Sequence, residues 1–151
     1  MGYIAFVIGT MVVIPIVSFL IERPQHSETI ESLGKWFIFW GVGMRLFVAG
    51  IIQILKPSVT ASILGVDKSA SIVVRELGFA NLLFGMLGIF SLFNPSLRLA
   101  ATVGGFYMGA AGIYHIIRYD RWTGKEEIVA MVSDLWILIV VLVYCYFEFQ
   151  R

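Results

Sequence analysis

The sequence predicts an all-α fold, a polytopic membrane helical bundle of five transmembrane helices, made of a core of four plus an N-terminal helix. Three observations carry that expectation. Of 151 residues, 59% are hydrophobic and only 14% charged, against roughly 45–50% apolar and about 25% charged in a soluble domain. Five apolar stretches each match the ~20 helical residues needed to cross a hydrocarbon core about 30 Å thick. Those stretches are continuous, without the alternation over about ten residues that strands of a membrane barrel require. The length fits a single integral membrane domain.

The first span runs from Tyr3 to Ile21. Met1-Gly-Tyr-Ile brings no positive charge and no small-x-small cleavage site precedes Glu22, so a retained helix is expected rather than a signal peptide. Phe6 stands where N-myristoylation would need serine or threonine. Pro15 kinks this span, and neighbouring helices are expected to satisfy the carbonyl it frees. The second span, Trp36 to Leu55, stops before Pro57. Lys56 to Ser71 is too short to cross, and Val59 to Val66 is expected to lie in the interface as a short amphipathic turn. Ile72 to Phe93 forms the third span, closed by Pro95; Leu99 to Ile117 forms the fourth. The fifth, Ile128 to Phe147, follows Thr123-Gly-Lys-Glu126, which reads as a capping box.

Five crossings place the two ends of the chain on opposite sides. The N-terminal side holds Lys56, Lys68, Arg118, Arg121 and Lys125, with Arg75 at a helix edge; the other holds Arg23, Lys35, Arg98 and Arg151. This slight excess predicts a cytoplasmic N-terminus. Trp36, Trp40, Tyr119, Trp122, Tyr144, Tyr146 and Phe147 gather at span ends as an interfacial belt, whereas Tyr107 and Trp136 fall deeper, where they serve packing or line a cavity for a flat apolar ligand.

Association between spans must come from close packing and interhelical hydrogen bonds, because lipid tails are as apolar as leucine. Gly78, Asn81, Gly85 and Gly88 share one stripe of the third span. Ala101, Gly105, Met108, Gly112 and His115 share one of the fourth. The short turn around Asn94-Pro-Ser makes these two helices antiparallel neighbours, and backbone-close packing is expected between them. Packing alone accounts for the glycines.

Ionisable groups at membrane depth are expensive and so mark candidate sites. The set is Arg45, Glu76, His115 and Asp134, with the amides Gln53 and Asn81. Because spans alternate in direction, Gln53, Glu76, His115 and Asp134 lie toward one face. At 1.5 Å per residue Asp134 is roughly 10 Å inside its boundary, Asn81 about 13 Å and Arg45 about 15 Å. Arg45 stays charged and needs an acid, for which Glu76 and Asp134 are the candidates, one taking the ion pair and the other remaining free to titrate. The bland alternatives are equally concrete. Glu76 can snorkel to the interface with Arg75, His115 can be wet near its helix end, and Arg45 with Asp134 can form a structural ion pair.

Several classes are excluded. A net charge of +1 offers no basic surplus for nucleic acid. Cys145 is the single cysteine, so there is no internal disulfide or CxxC pair, and it reads as a packing residue. No metal site is expected, because His26 lies in the first loop and no HxxxH or ExxH spacing occurs; paired-histidine haem ligation fails for the same reason. No cofactor is identified.

The stretch Arg75-Glu-Leu-Gly-Phe-Ala-Asn-Leu-Leu-Phe-Gly-Met-Leu-Gly-Ile, then Gly112-Ile-Tyr-His-Ile-Ile-Arg118 and an acid early in the last helix, resembles a family of small uncharacterised prokaryotic membrane proteins in the DoxX-like neighbourhood. The resemblance covers Arg75 to Leu142 and implies a compact bundle of about four helices in a prokaryotic cytoplasmic membrane. It implies that Glu76, Asn81, His115 and Asp134 occupy motif positions of one shared site.

The leading expectation is an intramembrane polar cluster that binds a small amphipathic molecule or lipid, the protein serving as an accessory subunit of a membrane complex or as a homo-oligomer. Arg45 is the charge anchor, Glu76 and Asp134 its counter-ions, Asn81 the orienting hydrogen-bonder and His115 a proton exchanger near the surface. Three alternatives stay open: an acid–base enzyme acting on an apolar substrate, a proton-coupled carrier needing at least a dimer, and a structural subunit without a ligand.

Overall fold

The computed structural model describes residues 2–25, 28–63, 67–118 and 124–150. They are all-helical, with no strand among the described residues. The helices are α1 (Gly2–Glu22), α2 (Thr29–Leu55), α3 (Pro57–Ile63), α4 (Ser71–Phe90), α5 (Arg98–Ile117) and α6 (Lys125–Glu148). Helices α1, α2, α4 and α6 are long and apolar enough to cross a membrane. The expected count of five is met only in part, since α5 is as long as α4 but its glycines, Tyr107, Tyr114, His115 and Arg98 dilute its apolar character.

Two boundaries move for local reasons. α2 starts at Thr29, well ahead of the apolar run, because its first turns are amphipathic: Ser32 and Gly34 are buried while Glu31 and Lys35 find ionic partners. α4 stops at Phe90, where Ser91 Oγ donates to Gly88 O at 2.7 Å and a turn through Phe93 begins. Asn94 then caps Pro95–Leu97 by accepting from Ser96 N at 3.1 Å. α3 opens on Pro57, which lacks only an amide that the first helical turn leaves unpaired. It occupies most of the stretch expected as an interfacial turn, whose end at Val66 lies outside the described residues. Thr123 of the expected capping box lies outside them too, as do His26, Tyr119, Arg121, Trp122 and Arg151.

The glycine stripes settle on other partners than expected. A Cβ on Gly85 or Gly88 of α4 would collide with the backbone of Phe47 or Gly43, both on α2. Gly50 of α2 reciprocates, its Cβ falling 2.6 Å from Leu82 N. On α5, Gly105, Gly109 and Gly112 make room for Val141, Leu138 and Asp134 of α6. Backbone-close packing therefore joins α2 to α4 and α5 to α6, rather than α4 to α5. The chain neighbours α4 and α5 instead meet through larger groups, such as the Phe84 and Tyr107 rings with centroids 5.1 Å apart. One core of Val7, Met11, Ile38, Val42, Met108 and Ile137 ties α1, α2, α5 and α6 together. Outward, Leu20, Ile72, Phe79, Leu83, Ile116, Ile139 and Leu142 are exposed, far more apolar surface than a soluble monomer carries.

Candidate functional site

Arg45 sits directly after a π-helical stretch of α2, Ile38–Met44, and a second π-helical stretch, Gly9–Val13, interrupts α1 beside it. Such wide turns release backbone groups and re-aim side chains. In a regular helix the amide of residue 15 would serve Met11 O, but Pro15 has none. The indole Nε1 of Trp136 donates to that oxygen at 3.2 Å, as a neighbouring helix was expected to do. Met11 also brings its sulfur to 3.9 Å from Arg45 Nη1. The anchor residue is thus held where α1, α2 and α6 meet.

Arg45 Nη1 lies 2.7 Å from Asp134 Oδ1, and the two residues are 8% and 7% exposed. Burial at this level makes the pair interdependent, since either charge alone would lie uncompensated in apolar surroundings. Toward the N-terminal side a second pair forms, in which Asn81 Nδ2 donates to Gln53 Oε1 at 2.7 Å, linking α4 to α2. Asn81 is 5% exposed and its Oδ1 accepts no hydrogen bond among the described residues. A third pair joins α5 to α6, with His115 Nδ1 3.3 Å from Glu127 Oε1.

All six side chains line one cavity of about 560 Å³ bounded by every helix of the fold. Tyr3, Phe6, Val48, Ile52, Leu77 and Met108 supply apolar wall, and Tyr107 reaches it while Trp136 does not. The size is that of a site for a small organic ligand, and a mostly apolar lining with a few convergent polar groups is the usual make-up of one. Among the described residues no three His, Cys, Asp or Glu side chains gather as a ligand set for a metal.

Of the residues singled out in the sequence, Arg45, Asn81, His115 and Asp134 converge here, with Gln53. Glu76 does not line the cavity. It is exposed on the outer side of α4, because the glycine stripe fixes which face turns inward and Glu76 stands more than half a turn from Gly78. Arg45 therefore has Asp134 as its acid. Glu127, 5% exposed, takes a place that the sequence reading left empty. It lies two turns before Asp134 on the same face of α6, a spacing that was visible once the helix was started early enough. A separate polar group closes the opposite end of the bundle: Glu22 accepts from Ser32, Lys35 and Trp36, and Arg98 pairs with Glu31 at 2.8 Å. Cys145 is buried with the core.

The profile of a family of unknown function, DUF6790, matches residues 1–150. The chain belongs to that family. No curated protein and no solved structure matches the chain. The DUF6790 match agrees with the expected membership of an uncharacterised family and carries no link to DoxX-like proteins. It spans the N-terminal helix as well as the stretch from Arg75 to Leu142, so α1, which closes the cavity through Tyr3, Phe6 and Val7, is part of the DUF6790 unit.

Proposed function

We propose that this DUF6790 protein is an integral membrane protein that binds a small amphipathic molecule in the cavity between its helices. In this reading all five long helices cross the bilayer, and the end carrying Gly2, Lys56 and Arg118 faces the cytoplasm. The DoxX-like resemblance of α4 and α5 belongs to the same proposal, as does a place in a prokaryotic cytoplasmic membrane, as an accessory subunit or a homo-oligomer. One observation carries it: three polar pairs from four helices converge on a single apolar-walled cavity, and one member, Asn81, keeps an unpartnered oxygen. A purely structural bundle gains nothing from gathering such groups around empty volume, because unsatisfied buried polar groups destabilise it. The polar end of the guest would meet Arg45, Asp134 and Asn81, and its apolar part would lie along Val48, Ile52 and Met108. Thermal unfolding of the purified protein with quinones, sterol-like compounds and lipids tests this. A rise with at least one class is expected, and a flat response across the panel contradicts it.

A second reading is favoured by the His115–Glu127 pair. An imidazole within hydrogen-bond reach of a carboxylate at the cavity wall is equipment for proton transfer to a bound apolar substrate. In that case His115→Gln abolishes turnover while leaving ligand-induced stabilisation intact.

A further inference from the structure

The cavity wall also bears on which head group fits, an argument that rests on the binding role proposed above. We infer that the occupant is an uncharged amphiphile whose head donates a hydrogen bond, an alcohol in chemical class, and that anionic amphiphiles are rejected. The fixed cation on the wall is already matched, since Arg45 holds Asp134 at 2.7 Å, and a second acid, Glu127, stands 3.3 Å from His115 Nδ1. An incoming carboxylate or phosphate would compete with Asp134 for one guanidinium while lying in the field of two carboxylates. Repulsion of that kind is poorly screened away from water. A cationic head would draw Asp134 away and leave Arg45 buried without its counter-ion, which is equally unfavourable.

What the wall lacks is a donor for Asn81 Oδ1. The amide nitrogen is held by Gln53 Oε1, and the oxygen, enclosed beside the polar end of the cavity, has no partner among the described residues. A bound hydroxyl pairs with it once the amide turns toward the cavity, and pairing a buried orphan acceptor removes the penalty of leaving it unsatisfied. An ether or ester head, which only accepts, leaves that oxygen as it was. The volume of about 560 Å³ suits one chain or a compact ring system beside the head.

The test uses the full chain in nanodiscs of phosphatidylcholine, with saturable binding of tritiated dodecanol competed by unlabelled dodecanol, dodecyl methyl ether and dodecanoate. Each competitor is expressed as its mole fraction in the bilayer, so that partitioning drops out. Dodecanol is expected to compete about tenfold better than the ether, and dodecanoate, kept ionised, to be weaker still. Asn81→Leu, close in volume, is expected to lower dodecanol to the level of the ether while leaving the ether unchanged; a packing role alone would weaken both. If that variant fails to fold, the alcohol-to-ether ratio in the unaltered protein decides. Dodecanoate or the ether competing as well as dodecanol overturns the inference and leaves the binding role standing. Absence of saturable binding by all three, each labelled in turn, overturns both.

Discussion

Arg45 and Asp134 form a buried ion pair, so their loss is asymmetric. Arg45→Met or Asp134→Leu alone is expected to cost about 3–5 kcal/mol, because one charge is left buried, while the double variant recovers most of that loss. A double-mutant cycle followed by unfolding in mixed micelles measures the coupling, and simple additivity would contradict the pairing. Glu76→Gln on the outer face of α4 is expected to change stability by no more than about 0.5 kcal/mol. The pair was legible in the sequence because Asp134 was one of two deep acids available to a deep arginine. The choice between Asp134 and Glu76 depended on helical phase, which the stripe of Gly78, Asn81, Gly85 and Gly88 encoded. Glu127 escapes the sequence reading because the apolar run begins one residue after it, at Ile128. Outside the long helices, Ser69 N donates to Asp67 Oδ1 at 2.8 Å and holds that exposed carboxyl below its ordinary value of 3.8. A depressed carboxyl favours the folded turn above the unfolded pKa, and that preference is lost as pH falls through the folded one. An NMR titration of Asp67 is expected to show a midpoint below 3.8.

Helix pairing here is decided by where backbones can touch. Gly85→Ala places a methyl against the Phe47 backbone, which has no side-chain freedom with which to yield, and is expected to cost about 1–3 kcal/mol. Gly9→Ala in α1 meets nothing closer than Ile14 Cδ1 at 3.8 Å and is expected to be neutral or slightly stabilising. Unfolding midpoints of the two variants check this, and equal effects would contradict the α2–α4 contact. Small-residue faces were readable in α4 and α5, but a stripe of glycines specifies closeness and not a partner. The short Asn94-Pro95-Ser96 connection pointed to mutual packing of α4 and α5, whereas the fitting partners are the backbone of α2 for α4 and the Leu138 and Val141 side chains of α6 for α5. The π-helical turns beside Arg45 leave no signal in the sequence beyond Pro15.

For the whole molecule, an apolar exterior around a cavity where polar pairs converge differs from the usual arrangement of a soluble domain and suits the bilayer of the proposed reading. The proposed five crossings would put Lys56 and Arg118 on one side and Arg23 and Gln150 on the other. In a Cys145→Ala background, single cysteines at these positions are expected to split into two groups toward a membrane-impermeant thiol reagent applied to sealed vesicles of one orientation. Modification of all four from one side would contradict five crossings. Composition was enough to reveal helices long and apolar enough to cross a membrane, but not the cavity, which six helices leave where Ala49, Ala111 and Ala130 line it with little bulk.

Photolabelling with a diazirine-bearing long-chain alcohol, mapped residue by residue, tests the cavity most directly. The account predicts adducts on Val48, Ile52, Met108 and Ala111, suppressed by excess unlabelled alcohol. Labelling confined to the outward-facing Phe79, Val132 and Ile139, and insensitive to competition, would contradict it.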